Sequence, residues 1–136
     1  IERILSGPGL YALYRGLADV RGVPAELKDE KEVLAAGQKG GDLLAEETLD
    51  RFCEILGSTA GDIALTCGAR GGVYVSGGIA PRLADRLSSG GFRRRFEDKG
   101  RLSDYTRDIP TYLIVHPYAA LVGAARVLEQ LEGSPL

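Results

Sequence analysis

The run Gly71-Gly72-Val73-Tyr74-Val75-Ser76-Gly77-Gly78-Ile79-Ala80-Pro81 has the residue types and order best suited to hold a ligand. Val73, Tyr74 and Val75 are β-branched or aromatic and predict a short strand. Gly77 and Gly78 remove Cβ at its carboxyl end, where a backbone can turn sharply and a ligand can lie against the main chain. Pro81 suits the first turn of a helix, whose free amides would face the same crevice. In α/β sheets that crevice is the usual ligand seat, but two glycines also serve as a plain tight corner, and on this run alone both readings stand.

Other chemistry-bearing residues are more scattered. His116, the sole histidine, falls at a predicted strand end, where it either lines the crevice or satisfies a local backbone group. Cys53 and Cys67 fall in one predicted helix, fourteen positions and so roughly 21 Å apart along its axis, too far to bridge. Two such thiols are expected to be buried structural residues of a reducing compartment, and they lack zinc-ligand spacing. Arg93, Arg94 and Arg95 invite a phosphate-binding role; on a helix they point about 100° apart and acidic residues follow at once, so a solvated face is expected. Gly7-Pro8-Gly9-Leu10-Tyr11-Ala12 formally matches a dinucleotide-binding pattern, yet no suitable strand precedes it.

The positioning elements follow from periodicity. Ile1–Leu5 predicts a turn of helix, Ser6-Gly7-Pro8-Gly9 a break, and Leu10, Leu13, Tyr14 and Leu17 a helix up to Gly22. Residues 22–41 are polar and glycine-punctuated, predicting a surface excursion with a short helix over 30–36. From Asp42, an N-cap, the stripe Leu49, Phe52, Cys53, Leu56, Ala60, Ile63, Ala64 and Cys67 predicts a long amphipathic helix. Gly57 and Gly61 each cost it about 1 kcal/mol relative to alanine, which predicts close approach of a neighbour. A helix over 81–89 is expected to turn Leu83 and Leu87 inward. Residues 112–115 form an apolar run that predicts a strand buried on both faces. Residues 118–131 predict a last helix with Leu121, Val122, Ala125, Leu128 and Leu131 as its core stripe. Strand, helix, strand, helix implies parallel strands with crossover helices. Two strands alone make a poor parallel sheet, so further strands or a partner chain are expected at the open edge.

The 136 residues are one domain's worth of chain. With 17 basic and 19 acidic side chains the charge balance gives no footprint for nucleic acid or an anionic membrane, and no apolar run reaches the ~20 residues of a membrane span. Methionine is absent, including at position 1, which predicts a segment of a longer protein.

Glu2-Arg3-x-Leu5-Ser6-Gly7-Pro8-Gly9-Leu10, Tyr14-Arg15, the run from Gly71 to Pro81, Phe92-Arg93-x-x-Phe96-Glu97-Asp98-Lys99-Gly100-Arg101, Asp108-Ile109-Pro110 and Leu113-Ile114-Val115-His116 together resemble the carboxyl-terminal part of the bacterial glucokinase family. The glycine-pair turn is shared with the wider sugar-kinase, Hsp70 and actin superfamily; the Phe-Arg string is specific to the glucokinase branch. The resemblance covers nearly the whole chain, residues 1–136, and implies the carboxyl-terminal piece of a large domain whose N-terminal partner domain is absent. The implied fold is α/β and helix-rich, part of a ribonuclease H-like, actin-like ATPase domain.

The implied reaction is ATP-dependent phosphorylation of glucose, with Mg2+, in the cytoplasm, by a homodimer. Ser76, Gly77, Gly78 and Ile79 would then contact the nucleotide, and Glu2 would hydrogen-bond sugar hydroxyls, whereas by itself Glu2 reads as an exposed charge. In the family pattern the catalytic aspartate, the phosphate-binding glycine loops and the Glu-x-x-His sugar motif precede Ile1. The chain alone is therefore expected not to phosphorylate glucose. The alternative from another class is a non-catalytic sugar-sensing regulator on the same fold, which would carry a cysteine-rich zinc site; a third is an actin-like filament subunit.

Overall fold

The computed structural model describes residues 1–133, and of Glu132 the backbone alone. Its elements run α1 (Gly7–Arg21), α2 (Glu30–Lys39), α3 (Leu43–Thr66), β1 (Val73–Val75), a 3-10 turn (Ala80–Leu83), α4 (Ala84–Ser88), α5 (Gly91–Glu97), a second 3-10 turn (Gly100–Leu102), α6 (Ser103–Arg107), β2 (Thr111–Leu113) and α7 (Ala119–Glu132). The fold is helix-rich α/β, and β1 and β2 pair in parallel with Val73 opposite Thr111 and Val75 opposite Leu113. No helix among the described residues is long and apolar enough to cross a membrane.

The 24-residue helix α3 is the spine. It starts where Asp42 accepts a hydrogen bond from the Ala45 amide, as its sequence predicts. Toward its N-terminal half, Leu49, Phe52 and Cys53 pack with Leu10 and Tyr14 of α1, Val33 and Leu34 of α2, and Leu83. Toward its C-terminal half, Ala60 and Ala64 pack with Phe92 and Phe96 of α5 and with Ile109. Each large apolar side chain buried in these two cores contributes roughly 1.5–3 kcal/mol.

The second core depends on the two glycines of α3. A Cβ built on Gly57 would collide with the Phe92 carbonyl, and one on Gly61 would lie 2.5 Å from the Phe96 carbonyl oxygen. Backbone presses against backbone there, so the helical cost of both glycines is offset by contact that no other residue allows. Lys99 closes the same interface, its ammonium donating to Asp62 Oδ1 at 2.7 Å and to the Ser58 carbonyl at 2.8 Å.

Several expectations need correction. Gly7-Pro8-Gly9 is no break but the first turn of α1, because Ser6 caps it by accepting from the Gly9 amide at 3.1 Å and proline is tolerated where no intrahelical donor is needed. Residues 22–41 are not mere surface: α2 buries Val33 completely and Leu34 almost so. Arg93 is not a solvated charge. It is half-buried, pairs with Glu97 and donates to the Ile109 and Arg107 carbonyls at 2.7 and 2.6 Å, so it ties α5 to the entrance of β2. Arg94 and Arg95 do face solvent, paired with Glu54 and Asp98.

The sheet is covered on one face only. Tyr74 and Tyr112 stack at 4.9 Å on the other, 63% and 47% exposed, which corrects the expectation of a doubly buried second strand. The expected core stripe of α7 is likewise exposed, with Leu121 at 68% and Leu131 at 67%. Its periodicity is real, but nothing among the described residues covers it. Cys53 is buried and Cys67 exposed at the end of α3, so only the first is the structural thiol expected of both.

Two outcomes follow for stability. Gly57→Ala should destabilise the protein by about 1–3 kcal/mol through overpacking, while Gly16→Ala, in open space on α1, should stabilise it by about 0.4–1 kcal/mol; urea unfolding reads both signs. Burial pushes the Cys53 thiol up to about 11, and the nearby Asp50 adds to the rise. At pH 8 a thiol reagent should therefore modify one cysteine, Cys67, with Cys53 reacting only after unfolding.

Candidate functional site

At the carboxyl end of β1 the chain leaves the sheet through Ser76, Gly77 and Gly78 and enters the 3-10 turn that contains Pro81. This segment forms one wall of a crevice of about 400 Å3. The opposite side is built by the first turns of α1 and α2, which contribute Ser6, Gly7, Glu30 and Lys31. The floor is apolar, with Leu10, Leu34, Phe52 and Leu56 rising from α1, α2 and α3. Ser76, Gly77, Gly78 and Ile79 all line this crevice, so the residues singled out from sequence are brought together.

The loop's geometry needs glycine at one position. Gly77 has φ +127°, a conformation that costs an L-residue strain, whereas Gly78 does not. A Cβ on either would meet nothing within 4 Å, so the glycine pair leaves the crevice open rather than sealing a packed corner. One expectation weakens here. The helix after Gly78 is a four-residue 3-10 turn followed by the five-residue α4, too short to bring a strong dipole to the site.

The two walls are held at fixed spacing from behind. Arg86 of α4 donates to the Gly37 carbonyl of α2 at 2.6 Å and pairs with Asp50 of α3. Gln38 of α2 donates to the Arg82 carbonyl. At the other end of α2, Asp29 accepts from the Lys31 and Glu32 amides at 2.9 Å, fixing the turn that carries Glu30 and Lys31. None of the salt bridges among the described residues engages Glu30, Lys31 or Arg82, so the mouth of the crevice carries one free anion and two free cations. An apolar floor, open backbone amides and unpaired charges of both signs suit a ligand with a flat apolar part and an anionic part.

Sequence reasoning missed Glu30, Lys31 and Arg82, because they reach the crevice from elements whose mutual packing no local pattern encodes. Glu2 is exposed in the turn before Leu5 and does not line the crevice, although Leu5 and Ser6 do. His116 is exposed and away from it, its Nδ1 accepting from the Tyr118 amide at 3.1 Å. That is the local backbone role rather than the catalytic one. Among the described residues no group of three or more His, Cys, Asp or Glu side chains is placed to hold a metal ion.

A family model described as Glucokinase matches residues 1–131. A glucokinase of Caulobacter vibrioides is 55% identical over 129 residues, covering 94% of this chain and 38% of its own length. That of Saccharophagus degradans is 48% identical over 130 residues, covering 96% and 40%. The crystal structure of a glucokinase from an Antarctic psychrotroph superposes with a TM-score of 0.86 at 39% identity, covering 95% of this chain and 40% of that one. The chain thus spans about two fifths of the length of these relatives.

The loop itself makes a stability prediction. Gly77→Ala should cost about 1–2 kcal/mol through its positive φ, and Gly78→Ala less than about 0.5 kcal/mol; equal losses in urea unfolding would contradict the geometry.

Proposed function

The chain belongs to the glucokinase family, and on that premise we propose that it is the carboxyl-terminal part of an enzyme that transfers the ATP γ-phosphoryl group to the 6-hydroxyl of glucose. In that reaction a bond forms between the sugar oxygen and the γ-phosphorus as the hydroxyl gives its proton to a general base, the bond from that phosphorus to the β-γ bridging oxygen breaks, and ADP departs with the bridging oxygen. The observation that carries the reading is the coincidence of the family match with an open, glycine-walled crevice at the carboxyl end of a parallel strand.

In this reading Ser76, Gly77, Gly78 and Ile79 seat the nucleotide. The missing Cβ atoms let its backbone-facing side approach the main-chain amides, and the apolar floor excludes water from its base. Glu2, in the exposed turn beside the crevice, accepts hydrogen bonds from two adjacent sugar hydroxyls, a task a carboxylate performs with both oxygens. Mg2+ would enter with the nucleotide and offset the charge of its phosphates. The larger frame is a ribonuclease H-like domain, which agrees with the parallel β1–β2 pair and its helical connection.

Glucose-dependent ADP release tests this reading. The protein as the cell makes it should release ADP only when glucose is present, and the 136-residue chain alone should release none, because phosphoryl transfer depends on positioning by groups the family keeps elsewhere. Glu2→Gln should raise the KM for glucose by about tenfold or more, the cost of weakening a charged hydrogen bond. Glucose binding without any ADP release would contradict the reading.

A further inference from the structure

One acidic residue that lines the crevice has no partner among the described side chains. Glu30 sits at the first position of α2, half-buried, on the wall facing Gly77 and Gly78. Its carboxyl carbon lies 3.8 Å from where a Cβ on Gly7 would stand, so the acid is lodged between the starts of α1 and α2. Among the described residues no salt bridge or side-chain hydrogen bond takes up this carboxylate, in contrast to Glu32 two residues on, which accepts from the Lys28 amide at 2.8 Å. Its oxygens stay open to solvent, so the carboxylate is available to the donors of a ligand in the crevice.

Resting on the nucleotide reading of this crevice, we infer that Glu30 is a specificity-determining residue that accepts hydrogen bonds from the vicinal 2′- and 3′-hydroxyls of the nucleotide's ribose. Phosphate is excluded as its partner by like charge. The base is served by the apolar floor of Leu34, Phe52 and Leu56, which offers contact to a ring face. The ribose alone presents two adjacent hydroxyl donors that both oxygens of one carboxylate take at once. Lys31 and Arg82, the free cations on either side, are then left for the phosphates.

Competition binding separates this from its rivals. In the protein as the cell makes it, dissociation constants are measured for ATP, 2′-deoxy-ATP, 3′-deoxy-ATP and GTP, in the wild type and in Glu30→Gln and Glu30→Ala, with circular dichroism confirming the fold of each. The wild type should lose about tenfold or more for each deoxy analogue, and Glu30→Ala should bind ATP at least as weakly as the wild type binds either deoxy analogue, with no further loss for the deoxy analogues. Glu30→Gln, which keeps one acceptor, should fall between. A deoxy penalty that survives Glu30→Ala overturns the assignment while leaving nucleotide binding in place, as does a variant whose preference between ATP and GTP changes instead. Failure of the wild type to bind any nucleotide overturns both this inference and the reading it rests on.

Discussion

The contact between α3 and α5 is the constraint on which the rest of the structure depends. Gly57 and Gly61 let the backbone of α5 lie against that of α3, which seats Phe92 and Phe96 on Ala60 and Ala64. From that seat Arg93 reaches the carbonyls of Arg107 and Ile109 and so fixes where β2 begins. β1 pairs with β2 in register, and the loop that leaves β1 is the wall of the crevice. A single close approach therefore propagates through a buried ring pair, one guanidinium and one strand pair to the position of Gly77 and Gly78.

The other wall is positioned by the other half of the same helix. Leu49, Phe52 and Cys53 of α3 gather α1 and α2, whose first turns carry Ser6, Gly7, Glu30 and Lys31. Arg86 links the two walls, donating to α2 and pairing with α3 from the helix that follows the glycine loop. The crevice is thus a joint product of two cores that share one spine. Its width is set by the packing of those two cores, which is how a rigid scaffold supports an open loop.

Much of this was legible in the sequence, and the failures have physical causes. The long helix from Asp42, its close-approach glycines and the strand into a glycine pair were all readable, because each is a local pattern with a local reason. Gly7-Pro8-Gly9 read as a break because glycine and proline punctuate loops, yet a capping serine turns the same residues into a helix start. Arg93 read as solvated because its partners are main-chain carbonyls, which carry no sequence signal. The stripe of α7 is apolar in its sequence, but periodicity reveals that a face needs cover and not where the cover comes from. Glu30 could not be found at all, since it meets the glycine loop only through tertiary packing.

The central claim is that the crevice between the first turns of α1 and α2 and the Gly77-Gly78 loop holds the nucleotide. A crystal structure of the protein with a non-hydrolysable ATP analogue and glucose tests it most directly. The account predicts the base on the floor formed by Leu34, Phe52 and Leu56, with the phosphate chain running past Gly77 and Gly78. A nucleotide bound elsewhere, with this crevice filled by solvent alone, would contradict it.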